Sequence, residues 1–164
     1  MRSVGFDIAK VGFCAAGLAV DGDPRRCSAW RVSNERMSEP EQLEELEIWV
    51  KRVLWIYKPD IVVVEELAVF MNKNTIRTLA RREGVILLTA KKNATIVIHR
   101  PVSQSRRIAL GKVPGKGSMS KDEAWKRVRK MYPDFNFGHA NQGGMDKGDA
   151  MTHALAGPII LERR

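Results

Sequence analysis

Four isolated acids stand in or beside apolar segments of a chain that is otherwise strongly basic. Asp7 lies within the first apolar run, and Glu65 ends a later one. Asp146 and Asp149 are three residues apart, so on a helix they would share a face. Oxygen donors from non-adjacent segments are the ligands that hard divalent cations such as Mg²⁺ prefer. The alternative for the last two acids is that they only complement a helix N-terminal dipole.

Glu65 follows a short run of β-branched residues that begins after Pro59 and Asp60. Such a run predicts a strand that is buried on both faces, as in a parallel or mixed sheet. An ionised Glu is rarely buried without a partner. The carboxylate of Glu65 is therefore expected either to emerge into water at the strand tip or to meet a cation.

The elements that position these acids are predicted from hydrophobic periodicity and turn residues. Apolar segments at 3–9, 11–20 and 27–32, with turn residues at 21–24, predict an antiparallel meander of three strands. Helices and strands then alternate, in the order β-β-β-α-β-α-β-α-α-α. Their predicted ranges are 38–58, 60–65, 74–88, 94–98, 103–110, 120–131 and 145–162. This order predicts an α/β fold in which parallel strands extend the meander and helices cover both faces of the sheet.

Length and charge limit the class of protein. The 164 residues predict a single domain over 1–164, and the net charge of +9 indicates a polyanionic partner such as nucleic acid. No apolar run reaches the length of a membrane span and the N-terminus is a strand pattern, so we expect no membrane partner and a cytoplasmic location, or the host cytoplasm for a viral protein. Cys14 and Cys27 lack C-x-x-C spacing and predict core residues without a disulfide.

The positive charge is concentrated in the segment 71–130, which has sixteen Lys and Arg against three acids. Such a one-signed excess favours phosphate contacts over an ordinary solvated surface. The helix predicted over 74–88 is basic and should direct three arginines outward: Arg77, Arg81 and Arg82. Its predicted inward residues are Ile76, Leu79, Val85 and Leu88. We predict a DNA path between this helix and the Gly-rich loop at 111–117.

Four stretches of the chain lie in register with one family: 4–8 with Gly12, 58–65, 70–74 and 146–150. They span most of the chain, and the Phe-Met-x-Lys-Asn segment at 70–74 is the most specific of them. In these stretches the chain resembles the RuvC-type Holliday junction resolvases of the RNase H-like superfamily. The resemblance implies an RNase H-like fold with a five-stranded mixed sheet.

The resemblance also implies roles for individual residues. Catalytic and metal-binding acids fall on Asp7, Glu65, Asp146 and Asp149, with Glu66 as a less favoured substitute for Glu65. Two Mg²⁺ ions per active site, or Mn²⁺ in their place, would activate the attacking water and stabilise the leaving 3′ oxygen. An aromatic residue would wedge against bases at the junction centre. The expected DNA-binding residues are Phe70 as that aromatic, Lys73, Asn74, Arg77, Arg81, Arg82, Arg106, Arg107, Lys112, Lys116 and Lys121.

Three functions are open at this point. We favour a structure-selective endonuclease that resolves four-way junctions symmetrically as a homodimer in DNA recombination and repair. The second is an RNase H-like nuclease for other branched DNA, such as phage replication intermediates and flaps, or for RNA–DNA hybrids. The third is a basic nucleic-acid-binding module whose acids are only helix caps and surface charges. A branch-migration helicase is a candidate partner that the sequence does not identify.

Overall fold

The computed structural model describes residues 1–10, 12–34, 36–67, 73–93, 96–112, 118–139 and 143–163, without the side chains of 9 and 10. In these ranges the chain forms strands and helices in the predicted order. The strands are β1 (Arg2–Lys10), β2 (Phe13–Val20), β3 (Asp23–Arg31), β4 (Ile61–Glu65) and β5 (Ile96–Arg100). The helices are α1 (Glu39–Tyr57), α2 (Lys73–Asn93), α3 (Val102–Leu110), α4 (Lys121–Met131) and α5 (Gly144–Glu162).

The strands form one mixed sheet in the order β3-β2-β1-β4-β5. β1 pairs antiparallel with β2 and parallel with β4, and β5 is parallel to β4. The predicted α/β fold, with a three-strand meander extended by parallel strands, is confirmed. Phe6 is in register with Val64, so the residues that follow them, Asp7 and Glu65, lie side by side at the carboxyl end of two central strands.

One face of the sheet packs against α1 and α2 through large apolar side chains. Phe6, Val62 and Val64 are fully buried in one cluster with Leu46 of α1 and Ile86 of α2. We call this the α1/α2 face. The large side chains of this face fill the space between the strands and the two helices.

The opposite face packs against α5 through glycine and alanine. A Cβ placed on Gly5 of β1 would lie 2.0 Å from the carbonyl oxygen of Ala150, and one on Gly17 of β2 would lie 2.7 Å from the Cα of Met151. Only glycine permits this approach. We call this the α5 face. Because Asp7 follows Gly5 by two residues, its side chain points to the same face and therefore toward the first turns of α5.

α2 differs from the prediction in the face that it buries. Leu79, Arg82 and Ile86 lie on its buried stripe, whereas Leu88, which the pattern placed inward, is 58% exposed. The prediction that Arg82 points outward is wrong: its side chain is 1% exposed, and its Nη2 donates to Gln42 Oε1 at 3.1 Å. The guanidinium also lies over the Trp30 ring, which compensates the cost of burying it.

Local boundaries shift where turns are tighter than predicted. Asp21 and Gly22 both adopt positive φ, of 53° and 82°, so the hairpin turns in two residues and β3 begins at Asp23 instead of residue 27. β5 covers Ile96–Arg100, so it ends two residues beyond the predicted 98, and residues 94 and 95 of the predicted range lie outside the described residues. Both cysteines are free thiols. No helix in the described ranges has the length and apolarity needed to cross a membrane.

Candidate active site

Asp7 and Glu65 form the floor of a site at the carboxyl ends of β1 and β4. The N–H of Ile8 donates to Glu65 Oε2 at 2.9 Å, which fixes this carboxylate beside β1. Asp7 is 2% exposed, and its buried Oδ2 has no hydrogen-bond partner among the described residues. The pairing of β1 with β2 shifts register directly after Asp7. A buried carboxylate oxygen without a partner is costly in a folded protein and indicates a site for a ligand.

The site disfavours negative charge on both carboxylates. Burial raises the pKa of Asp7 well above its ordinary value, and the charges of Glu65 and Asp149 raise it further, against an opposing effect of Lys121. Burial also raises the pKa of Glu65, while its hydrogen bond from Ile8 acts in the opposite direction. Two neighbouring acids with raised pKa values favour binding of a proton or a cation between them.

Asp149 of α5 faces Asp7 and is held by a buried arginine. Arg106 Nε donates to Asp149 Oδ1 at 2.9 Å, and its Nη2 donates to Oδ2 at 2.8 Å. The remaining Nη1 donates to the carbonyl oxygen of Met119 at 3.0 Å. This two-point pairing fixes the plane of the carboxylate. Arg106, which the resemblance places among the DNA-binding residues, therefore lies against the acidic site, where it is 7% exposed and its donors are engaged within the protein.

Asp146 and Asp149 face the same cation, as their spacing predicts. Lys121, the first residue of α4, forms an ion pair with Asp146, and its Nζ lies 3.5 Å from Asp149 Oδ2. Burial by itself would lower the pKa of Lys121, but the charges of Asp7, Asp146 and Asp149 outweigh it and raise that pKa. The ammonium group therefore stays charged and neutralises part of the acidic cluster.

The donor set suits a hard divalent cation. Among the described residues, this set offers carboxylate oxygens, one of which accepts no hydrogen bond from that part of the chain, in surroundings that disfavour uncompensated negative charge. In the described part of the chain, no three acidic, histidine or cysteine side chains converge closely enough to hold a metal ion as they stand. Lys121 and Arg106 form ion pairs with the carboxylates of α5. Their positive charges therefore neutralise part of the negative charge that a bound metal ion would otherwise balance.

A buried histidine supports this arrangement and was missed in the sequence. His153 Nδ1 lies 2.8 Å from Ser105 Oγ, one residue before Arg106. Burial, together with the charge of Arg106, lowers the pKa of His153 to about 3, so the ring is neutral. The available signal was the spacing of four residues from Asp149, which places His153 on the same helix face.

The remaining predicted residues fall into three groups. Exposed residues on α2 are Lys73, Asn74, Arg77 and Arg81, and Arg81 is in an ion pair with Glu39. Arg107 and Lys112 are also exposed, at the end of α3 and just after it. Phe70 and Lys116 lie outside the described residues. Glu66 is exposed, whereas Glu65 is partly buried against β1, which favours Glu65 as the acid of this site.

Fold and site together define an α/β protein with a five-stranded mixed sheet, in which carboxylates of two central strands and one helix gather at one edge of the sheet. Among solved structures, Thermus thermophilus RuvC matches with a TM-score of 0.76 at 17% identity, over 99% of this chain and 96% of that one. The same protein in complex with a Holliday junction substrate matches with a TM-score of 0.76 at 16% identity, over 99% and 96% of the two chains. The yeast mitochondrial Holliday junction resolvase Ydc2 matches with a TM-score of 0.62 at 10% identity, over 94% of this chain and 76% of that one.

Two relatives named crossover junction endodeoxyribonuclease RuvC match in sequence. The Fusobacterium nucleatum protein is 28% identical over 100 residues, which is 60% of this chain and only 50% of that relative. A Synechococcus protein is 26% identical over 170 residues, covering 96% of this chain and 98% of that relative. No family model matches the chain. The predicted resemblance to RuvC-type resolvases is confirmed.

Proposed function

We propose that this chain is a structure-selective DNA endonuclease that resolves four-way junctions. The observation that carries the proposal is the convergence of Asp7, Glu65 and Asp149 from three elements at one end of the sheet. Asp7 and Glu65 are buried beside each other and burial raises the pKa of both carboxyls, which is not expected of surface charges, so the third function considered above is disfavoured. The sequence relatives and the structural match in complex with a Holliday junction substrate support the four-way junction as the substrate.

We propose that Asp7, Glu65, Asp146 and Asp149 hold two Mg²⁺ ions, with Mn²⁺ as a substitute. When bound, such ions lower the pKa of a water molecule and stabilise the charge that develops during phosphodiester displacement. Arg106 keeps the Asp149 carboxylate in one orientation through its paired hydrogen bonds. Lys121 offers an ammonium group that can pair with a phosphate oxygen when its carboxylate partners are otherwise engaged.

The basic surface is proposed to position the DNA. Lys73, Asn74, Arg77 and Arg81 line one side of α2, which follows the strand that ends at Glu65. Phosphate contacts by such residues fix the register of a duplex without reading its sequence. The aromatic role of Phe70 at the junction centre stays a prediction.

A homodimer is part of the proposal. A four-way junction has two equivalent strands to cut, and one site per chain cuts both only when two chains act across a two-fold axis. We place the interface on the C-terminal part of α2, where Leu88 is 58% exposed and lies about 10 Å along the helix from Arg81. Sedimentation velocity should show a dimer for the wild type and a monomer for Leu88→Glu, with Met131→Glu on α4 as the matched control. A monomeric wild type at concentrations that support symmetric cleavage would contradict this part.

A panel of substrates tests the function. Synthetic four-way junctions, flaps, RNA–DNA hybrids and linear duplexes are incubated with the wild-type chain in Mg²⁺ or in EDTA, and the products are mapped on denaturing gels. We expect paired nicks at symmetric positions in the junction and none in EDTA. Faster cleavage of flaps or hybrids would favour the second function, and binding without cleavage of any substrate would favour the third.

A further inference from the structure

A groove separate from the acidic cluster runs between the end of β5, the end of α3 and the end of α5. Its volume is about 670 Å³. We call it the α3/α5 groove. The side chains that line it are Arg100, Arg107, Ile108, Lys112, Ile160 and Arg163.

The charge of the groove is of one sign. Four of these side chains are cationic and none is acidic. The ion pairs formed among the described residues involve Arg81, Arg106, Lys121 and other cations, but none of the four in the groove. Four like charges repel one another across a shared cavity, so an anion that spans the cavity would relieve this repulsion.

One helix joins the groove to the acidic site. Arg106 and Arg107 are consecutive residues of α3, and their side chains leave the helix about 100° apart. Arg106 is buried on Asp149, whereas Arg107 is exposed in the groove. The groove therefore begins next to the acidic site.

The far end of the groove lies well away from that site. Arg163 caps the C-terminus of α5, and Asp146 lies in its first turn. A helix of 19 residues is about 28 Å long, so Arg163 is roughly 25 Å from Asp146 along the helix axis. At 3.4 Å per nucleotide, this distance corresponds to about seven nucleotides of one DNA strand.

The chemistry of the lining suits an anionic backbone. Arginine and lysine supply only donors, and the aliphatic side chains of Ile108 and Ile160 supply apolar contact without hydrogen bonds. Such a surface offers no side-chain acceptor for the amino groups of bases, whereas its four cations match the charge of phosphates.

We propose that the α3/α5 groove binds the sugar–phosphate backbone of one arm of the branched DNA, several nucleotides away from the cut. This inference rests on the proposed function and extends it, because it assigns to Arg100 and Arg163 a role that neither the acidic site nor α2 requires. A free polyphosphate carries the same kind of negatively charged groups, so the test must distinguish binding of a DNA arm from binding of free polyphosphate.

The test is the dependence of binding on arm length and on salt. Fluorescence anisotropy is measured in Ca²⁺, for junctions with arms of about 5 and about 15 base pairs. The doubly substituted Arg100→Gln/Arg163→Gln chain is compared with Arg25→Gln/Arg36→Gln, which removes two exposed arginines outside the groove. We expect the wild type and the control to prefer long arms by about tenfold, and the groove variant to lose this preference. Its log–log salt slope on long arms should be flatter by about 2.

The outcomes separate the two proposals. An unchanged arm-length preference and salt slope in the groove variant would overturn the groove assignment, and so would tripolyphosphate that competes for the groove while arm length has no effect. Failure of the wild type to cut any junction in Mg²⁺ would instead overturn the proposed function. If the groove variant does not fold, Arg107→Gln/Lys112→Gln, at two exposed positions, is subjected to the same measurements.

Discussion

The two faces of the sheet are packed in different ways, and the difference explains where the chemistry lies. On the α1/α2 face, Phe6, Val64 and Leu46 fill the space between strands and helices with large side chains. On the α5 face, Gly5 and Gly17 let the helix approach the strand backbone directly. The first face contributes buried apolar area. The second sets the distance between Asp7 on a strand and Asp149 on a helix, so it determines the geometry of the acidic site.

The largest effect is expected from closing the α5 face. Gly5→Ala places a methyl group 2.0 Å from the Ala150 carbonyl oxygen, and this backbone atom can move only with the helix. We expect a loss of about 4 kcal/mol or more in the free energy of unfolding, with loss of junction cleavage in any chain that still folds. Urea denaturation and a cleavage assay measure both. A stable and fully active variant would show that the close approach does not set the site.

A core truncation on the α1/α2 face should affect stability alone. Leu46 is fully buried, at 0% exposure, in the cluster of the α1/α2 face and away from the acidic site. Leu46→Ala should lower the free energy of unfolding by about 3 kcal/mol through a cavity. Cleavage per folded molecule, measured in the cold, should stay near the wild-type rate. A loss of cleavage in the folded variant would mean that the two faces are not separable.

The acidic site should also be a source of instability. The pKa of Asp7 is raised in the folded state, so as pH rises the unfolded chain releases this proton at a lower pH than the folded chain does. Deprotonation therefore favours the unfolded chain, and the free energy of unfolding falls as pH rises above the ordinary Asp range. Without metal, Asp7→Asn should therefore raise the Tm at neutral pH by about 3 °C or more. The difference should close below about pH 4, where Asp7 is protonated in both states. A lower Tm for the variant at neutral pH would argue against an uncompensated carboxylate.

The smallest effect is expected at a glycine that faces open space. Gly84 lies within α2, and a Cβ placed on it meets no atom of the described residues outside its own stretch of helix within 4 Å. Gly84→Ala should raise the free energy of unfolding by about 0.5–1 kcal/mol, because alanine loses less backbone entropy on forming a helix. Thermal denaturation beside Gly5→Ala gives a matched pair. Because Gly84 lies one turn from Leu88, destabilisation seen only at dimeric concentrations would place it in the proposed interface, whereas destabilisation of the monomer would mean that other residues of the chain pack against α2 at this position.

The sequence predicts what depends on local pattern. The order of elements follows from apolar periodicity and turn residues, and the acids stand out because Asp7 interrupts one apolar run and Glu65 ends another. The shared face of Asp146 and Asp149 follows from helix geometry alone. Each of these inferences uses residues within a few positions of one another.

What the sequence did not predict depends on partners that are distant along the chain. Arginine is a residue type that usually lies on the surface. Arg82 and Arg106 are buried here because their partners Gln42 and Asp149, 40 and 43 residues away along the chain, satisfy their guanidinium groups. Leu88 was placed inward because the periodicity of α2 does not reveal which of two adjacent stripes faces the sheet. The role of Gly5 depends on how closely α5 approaches, which no pattern within β1 indicates.

The most direct test of the account is single-turnover cleavage of a four-way junction in Mg²⁺ by the wild type, Asp7→Asn and Asp122→Asn. Asp122 is an exposed acid of α4 that pairs with Lys126, so it is a control for the loss of one negative charge. We predict that Asp7→Asn cuts at least about 10³-fold more slowly while binding the junction as tightly or more tightly, and that Asp122→Asn cuts at the wild-type rate. Near-normal cleavage by Asp7→Asn would contradict the assignment of the active site.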